Sequence, residues 1–134
     1  MRASTFCFRS AVCLGILGIV MGIAMAATHN HAVAPAHAHL NLLGWVALFL
    51  MGFYYRFHPA LDASRIALVQ AGVWLLGTVV LVCAVTAIHL GQTSAEPAAA
   101  IGSLVVLAAM LMFAWLVFRA EPSRAAAGAM RPAE

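Results

Sequence analysis

The residues best suited to chemistry lie in the stretch PAHAHLNLLGW, residues 35–45, where two histidines and an asparagine open an apolar run. Neutral imidazole is the commonest side-chain ligand for metals, and it also binds haem iron. Titratable side chains at the mouth of an apolar segment are costly to desolvate and are therefore functional candidates. His37 and His39 are the first candidates for a cofactor site, and Asn41 could orient an imidazole or hydrogen-bond a bound ligand.

The element that must hold these residues is a membrane-spanning helix. The chain of 134 residues is 65% hydrophobic and only 8% charged, with a mean hydropathy of +1.00, which leaves too few polar residues to cover a soluble domain. Four apolar stretches are long enough to cross a bilayer, at 11–27, 37–55, 66–88 and 98–118. Because the connections between them are short, the sequence predicts an all-α, integral-membrane, up-down four-helix bundle over residues 1–118.

The basic residues give this bundle an orientation. All of them are arginines, and all fall on one side of the predicted spans: Arg2, Arg9, Arg56, Arg65, Arg119, Arg124 and Arg131. By the positive-inside rule that side is cytoplasmic, so both termini are expected inside, and residues 119–134 are expected to form a disordered cytoplasmic tail. The net charge of +3 is explained by this arrangement. We therefore expect a multi-pass protein of the bacterial inner membrane, surrounded by lipid and without a nucleic-acid partner.

The histidines fall mainly on the opposite, periplasmic side, and only His58 accompanies the arginines. The periplasmic group comprises His29, His31, His37, His39 and His89. Residues two apart on a helix are separated by about 200°, so His37 and His39 are expected on opposite faces of the second helix. His89 ends the third span at the same expected depth. The sequence predicts a bis-histidine site between the second and third helices, with His29 and His31 as further metal ligands or as a cap.

Two further expectations concern packing. Gly15, Gly18 and Gly22 share one face of the first helix, which predicts close helix packing and offers a surface for self-association. An aromatic belt at the inner interface is expected to contain Trp74, Trp115, Tyr54 and Tyr55. The first span could instead be a cleaved secretory signal, because it ends in AMAA, but its length and its glycine face favour a retained helix.

The segment HAHLNLLGWVALFLMGFYYRFHP, residues 37–59, resembles a helix of haem-copper oxidase subunit I, especially in the nitric oxide reductase branch. It is also similar to small four-helix membrane proteins of the cytochrome oxidase subunit I-like class and to part of the NnrS haem and copper membrane family. The resemblance implies that His37 and His39 are each an axial haem ligand. A complete oxidase subunit has many more helices and a separate copper site, so the resemblance does not imply an enzyme that acts alone.

Three functions remain open from the sequence. The leading one is a haem-binding membrane protein in electron transfer or in the response to nitric oxide or oxygen. The second is a copper or zinc site, built on the same histidines, for metal handling or for assembly of a respiratory complex. The third is a structural accessory subunit. Homo-oligomers or subunits of a respiratory complex are the expected protein partners.

Overall fold

The computed structural model describes residues 1–120, and this part of the chain is helical, without a β-strand. Four helices are long and apolar enough to cross a membrane, as predicted. They are α1 (Ala3–Thr28), α2 (Ala34–Phe57), α3 (Arg65–His89) and α4 (Glu96–Ala120). The predicted tail at 119–134 begins inside α4, and its remaining residues, 121–134, lie outside the described part.

Helix α1 begins at Ala3, well before the predicted start at residue 11. The apolar run is interrupted by Arg9, but this side chain is exposed and does not break the helix. On the other side of the same turns, Ala3, Ser4 and Cys7 are buried against the rest of the bundle. Tertiary packing therefore extends α1 beyond the segment that hydropathy alone identifies.

Each helix is antiparallel to the next one in the chain. Along α1 and α2, Gly22 lies against His37 whereas Gly52 lies against Phe8, so the two helices run in opposite directions. Along α3 and α4, one glycine of each helix allows close contact with the other helix. The two contacts are Gly77 with Val105 and Gly102 with Leu81. These registers confirm the up-down arrangement.

The helix ends that carry the arginines lie together, and one carboxylate links α1 to the connection between α2 and α3. Asp62 lies in the short helix Pro59–Asp62 that connects α2 to α3, and it is only 2% exposed. Its Oδ1 accepts a hydrogen bond from the backbone N–H of Ser4 at 2.7 Å, and its Oδ2 accepts one from the Ser4 hydroxyl at 3.0 Å. A carboxylate in this position satisfies a free N–H in the first turn of α1 and complements the helix dipole.

Two residues of the expected aromatic belt are core residues instead. Tyr55 is fully buried and Trp74 is 1% exposed. The Tyr55 hydroxyl donates to Gln70 Oε1 at 2.6 Å, and Trp74 Nε1 donates to the Leu43 carbonyl at 3.0 Å. Because their polar atoms find partners inside the bundle, these side chains need no contact with the interface. Trp115, which is 47% exposed, keeps the position expected of a belt residue.

The glycine face of α1 packs within the chain. Gly15 and Gly18 are buried, and a β-carbon added to Gly15 would lie 3.1 Å from the Trp45 ring of α2. The predicted small-residue packing face is therefore present. Its partner is α2 of the same chain, so this face is not a free surface for self-association.

Candidate functional site

Helix α2 changes its hydrogen-bonding pattern directly after the histidine pair. Ala34–His39 is α-helical, Leu40–Ala47 is π-helical, and α-helix resumes at Leu48. Pro35 occupies the first turn, where its missing N–H costs nothing. π-Helical segments are rare and frequently mark functional sites. The Leu43 carbonyl, which accepts the hydrogen bond from Trp74, belongs to this segment.

His37 and Asn41 form part of the contact between α1 and α2. A β-carbon at Gly22 would lie 3.1 Å from His37 Cε1, and one at Gly18 would lie 2.5 Å from Asn41 Oδ1. Asn41 Nδ2 donates to the His37 carbonyl at 2.9 Å and lies 3.4 Å from both nitrogens of the His37 ring. Both side chains are half-buried at this contact between α1 and α2. Asn41 is therefore in contact with the imidazole that the sequence analysis expects it to orient.

His39 points to a different environment from His37. It lines a cavity of about 410 Å³ between α2, α3 and α4. The other lining residues are Ala38, Leu42, Leu43, Leu81, Ser103 and Val106. The separation of the two histidines predicted from helical geometry is therefore present, since α1 covers His37 while α3 and α4 contribute to the His39 cavity.

The ring of His39 is held in one tautomer. Its Nδ1 lies 2.7 Å from the Pro35 carbonyl, and because a carbonyl only accepts, Nδ1 carries the hydrogen. The lone pair of the neutral ring is then on Nε2. Metal-bound histidines usually have this arrangement, in which one nitrogen donates to a carbonyl while the other binds the ion. The hydroxyl of Ser103, the other polar side chain of the cavity, donates to the Ala99 carbonyl at 2.9 Å.

The other histidines that the sequence groups with His37 and His39 are exposed. His89 ends α3, with its Nδ1 2.8 Å from the Val85 carbonyl, and it is not among the residues that line the His39 cavity. His29 ends α1 in the left-handed conformation, with φ of 52°, and His31 follows in the connection to α2. Within residues 1–120, no three histidine, cysteine, aspartate or glutamate side chains form a group that could hold a metal ion.

Two features of the interior were not evident from the sequence. The π-helical segment has no signature in the residue pattern, since LNLLGWVA is equally compatible with α-helix. Thr78 of α3 is fully buried, but its Oγ1 has no hydrogen-bond partner in the part of the chain that the structure describes. Thr86, by contrast, donates to the Val82 carbonyl at 2.7 Å, the usual partner of a threonine within a helix.

Comparisons of the chain with protein families, with curated proteins and with solved structures find no match. The geometry defines a bundle of four helices that are long and apolar enough to cross a membrane, with His39 in an apolar cavity between α2, α3 and α4. The resemblance to oxidase subunits rests on residues 37–59 alone.

Proposed function

We propose that the chain is a haem-binding membrane protein of the oxidase subunit I-like class, with His39 as the axial ligand of the haem iron. The observation that carries this proposal is the position of His39 in an apolar cavity, with Nδ1 hydrogen-bonded and the lone pair on Nε2. We assign the protein to electron transfer or to the response to nitric oxide or oxygen, and not to catalysis by this chain alone.

The residues of the cavity fit a haem held from one side. A volume of about 410 Å³ falls within the range of small-molecule sites, which is about 300–1,000 Å³. Leu42 is 62% exposed, so the cavity opens at the surface of the bundle, where lipid would cover the rest of a macrocycle. The His37 side chain of α2 packs against Gly22 of α1 and is directed away from this cavity. The fit is therefore to one axial histidine and not to a pair on the same iron.

Each residue of the site has a separate task in this proposal. The Pro35 carbonyl orients the His39 ring and, in the neutral ring, places the lone pair on Nε2, the atom that would bind iron. Leu42, Leu43 and Leu81 exclude water from the iron side of the ring. When bound, haem supplies an iron that exchanges one electron or accepts a diatomic gas.

The orientation in the membrane belongs to the same proposal. The arginines of the described residues lie toward the helix ends on one side of the bundle. At this same end, a hydrogen bond joins Ser4 to Asp62. Under the positive-inside rule this end faces the cytoplasm of a bacterium, with both termini inside. His39 then lies in the periplasmic half of the inner membrane.

The test is a reduced-minus-oxidised visible spectrum of the protein purified in detergent from haem-replete cells. We expect haem bands in the wild type and in His37→Ala, and their loss in His39→Ala. His58→Ala, at the opposite end of the bundle, is the control and should keep them. Bands that survive in His39→Ala would overturn the ligand assignment.

Metal analysis on the same sample separates the alternatives. A colourless protein that retains copper or zinc through His29, His31 or His89 would replace the haem proposal with metal handling. A colourless protein without metal would favour the accessory subunit.

A further inference from the structure

A second cavity lies at the arginine-bearing end of the bundle, away from His39. Its volume is about 550 Å³. The connection from α2 to α3 forms one wall, through Phe57, His58, Pro59, Ala60, Leu61 and Ser64, and Ile66 of α3 continues it. Three residues of the last turns of α4, Trp115, Leu116 and Arg119, form the other wall. None of these residues takes part in the proposed haem site.

The cavity carries one positive charge, and no negative charge lies beside it among residues 1–120. The guanidinium carbon of Arg119 lies 4.8 Å from the centre of the Trp115 ring, a cation–π arrangement that holds the charge over the cavity wall. In the part of the chain that the structure describes, no acidic residue lines the cavity. Asp62, in the same connection, directs both carboxylate oxygens to Ser4 and is 2% exposed, so it is not directed at Arg119.

The remaining wall is apolar, and its few polar groups already have partners. Phe57 is 69% exposed and Ile66 is 40% exposed at the surface that lipid would cover. The Ser64 hydroxyl donates to the Leu61 carbonyl at 2.6 Å and accepts from the Ala67 N–H at 3.3 Å. His58 Nδ1 lies 2.7 Å from the Tyr54 carbonyl, and its ring stacks on that of Tyr54 with centroids 4.2 Å apart.

We propose that this cavity binds an anionic phospholipid, with the headgroup phosphate at Arg119 and an acyl chain along Phe57, Ile66 and Leu116. A basic group beside an apolar cavity at the end of a helical bundle matches the two parts of such a lipid, and basic pockets between spanning helices are known to bind anionic headgroups. A small soluble anion would use Arg119 and leave the apolar wall uncovered. This site goes beyond the haem proposal and does not depend on it.

Quenching of tryptophan fluorescence by brominated lipids tests the site, because Trp115 lines the cavity. The full-length protein is reconstituted in phosphatidylcholine vesicles that contain a minor fraction of either brominated phosphatidylglycerol or brominated phosphatidylcholine. We expect stronger quenching by the anionic lipid, with an apparent selectivity of about five-fold, which is the effect of about 1 kcal/mol per basic residue. Arg119→Gln should reduce the selectivity to about one-fold.

Two variants make the result specific. Arg9→Gln removes an exposed arginine at the same end of the bundle that does not line the cavity, and it should keep the selectivity. Trp115→Phe should remove the selective part of the quenching and leave the unselective part from Trp45. Equal quenching by the two lipids, or selectivity that survives Arg119→Gln, would overturn the proposal. Equal quenching by the two lipids, together with inorganic phosphate bound by the wild type and not by Arg119→Gln, would reassign the site to a free anion.

Discussion

Ser4 and Asp62 are 58 residues apart in the chain, and two hydrogen bonds join them at the end of α1. Both oxygens of one buried carboxylate are used, one by the backbone and one by the hydroxyl. Hydrogen bonds to a charged group are among the stronger ones in proteins, and a buried group left without its partner is costly. This contact connects the first turn of α1 to the connection between α2 and α3.

Asp62→Ala is therefore expected to destabilise the bundle by about 2 kcal/mol, because the Ser4 N–H and hydroxyl lose their acceptor. Ser4→Ala should cost less, since the backbone hydrogen bond remains. The measurement is the free energy of unfolding in mixed detergent micelles. Glu96→Ala is the control, because Glu96 is exposed. An Asp62→Ala variant as stable as the control would contradict the structural role of this contact.

Gly18→Ala should destabilise the contact between α1 and α2. The added β-carbon would lie 2.5 Å from Asn41 Oδ1, so Asn41 or the helix must move, at a cost of about 1–3 kcal/mol. Gly72→Ala is a matched control on α3, where no atom lies within 4 Å of the new β-carbon. That variant should gain about 0.5–1 kcal/mol from helix propensity. Thermal unfolding midpoints that shift in the same direction for both variants would argue against close packing of α1 on α2 at Gly18.

Thr78→Val should stabilise the protein by about 1 kcal/mol. The Thr78 hydroxyl is buried without a partner among the described residues, and removal of an unsatisfied buried group recovers its desolvation cost. Thr86→Val is the comparison, because the Thr86 hydroxyl has a partner and its loss should bring no gain. The unfolding free energies of both variants are measured in the same micelles. Destabilisation by Thr78→Val would indicate that the hydroxyl has a partner in the membrane-embedded protein.

Ser103→Leu should lower the haem content several-fold without destabilising the fold. Ser103 lines the His39 cavity and is exposed, so a leucine side chain there occupies the space that the haem proposal requires. Ala108→Leu is the control, since Ala108 is exposed on the same helix and does not line the cavity. The ratio of haem to protein is read from the visible spectrum. An unchanged ratio in Ser103→Leu would exclude this cavity as the haem site even if His39 proved essential.

Composition and helical periodicity predicted the parts of the fold that depend on local sequence. The four spans follow from apolar segments of sufficient length, and the divergence of His37 and His39 follows from their separation by two residues. The extension of α1 to Ala3 and the burial of Tyr55 and Trp74 could not be predicted in this way. These features depend on partners far along the chain, such as Asp62 for Ser4 and Gln70 for Tyr55.

The candidate site, like the fold, could be predicted only in part from the sequence. The residue types of the histidine pair and of Asn41 pointed to the segment that holds the candidate site, and the glycines of α1 predicted a packing face that the structure contains. The sequence does not determine which helix covers each histidine, because no residue pattern within a span identifies the span that packs against it. Contact of Gly22 with His37, and of α3 and α4 with the His39 cavity, supplied that information.

The π-helical segment Leu40–Ala47 lies between the two α-helical parts of α2, Ala34–His39 and Leu48–Phe57. An α-helix turns by about 100° for each residue, and a π-helix, whose hydrogen bonds span one residue more, turns by less, so the π-helical segment fixes the angle between the two α-helical parts. The segment thus sets the phase between the histidine pair and the tyrosine core, where Tyr55 pairs with Gln70.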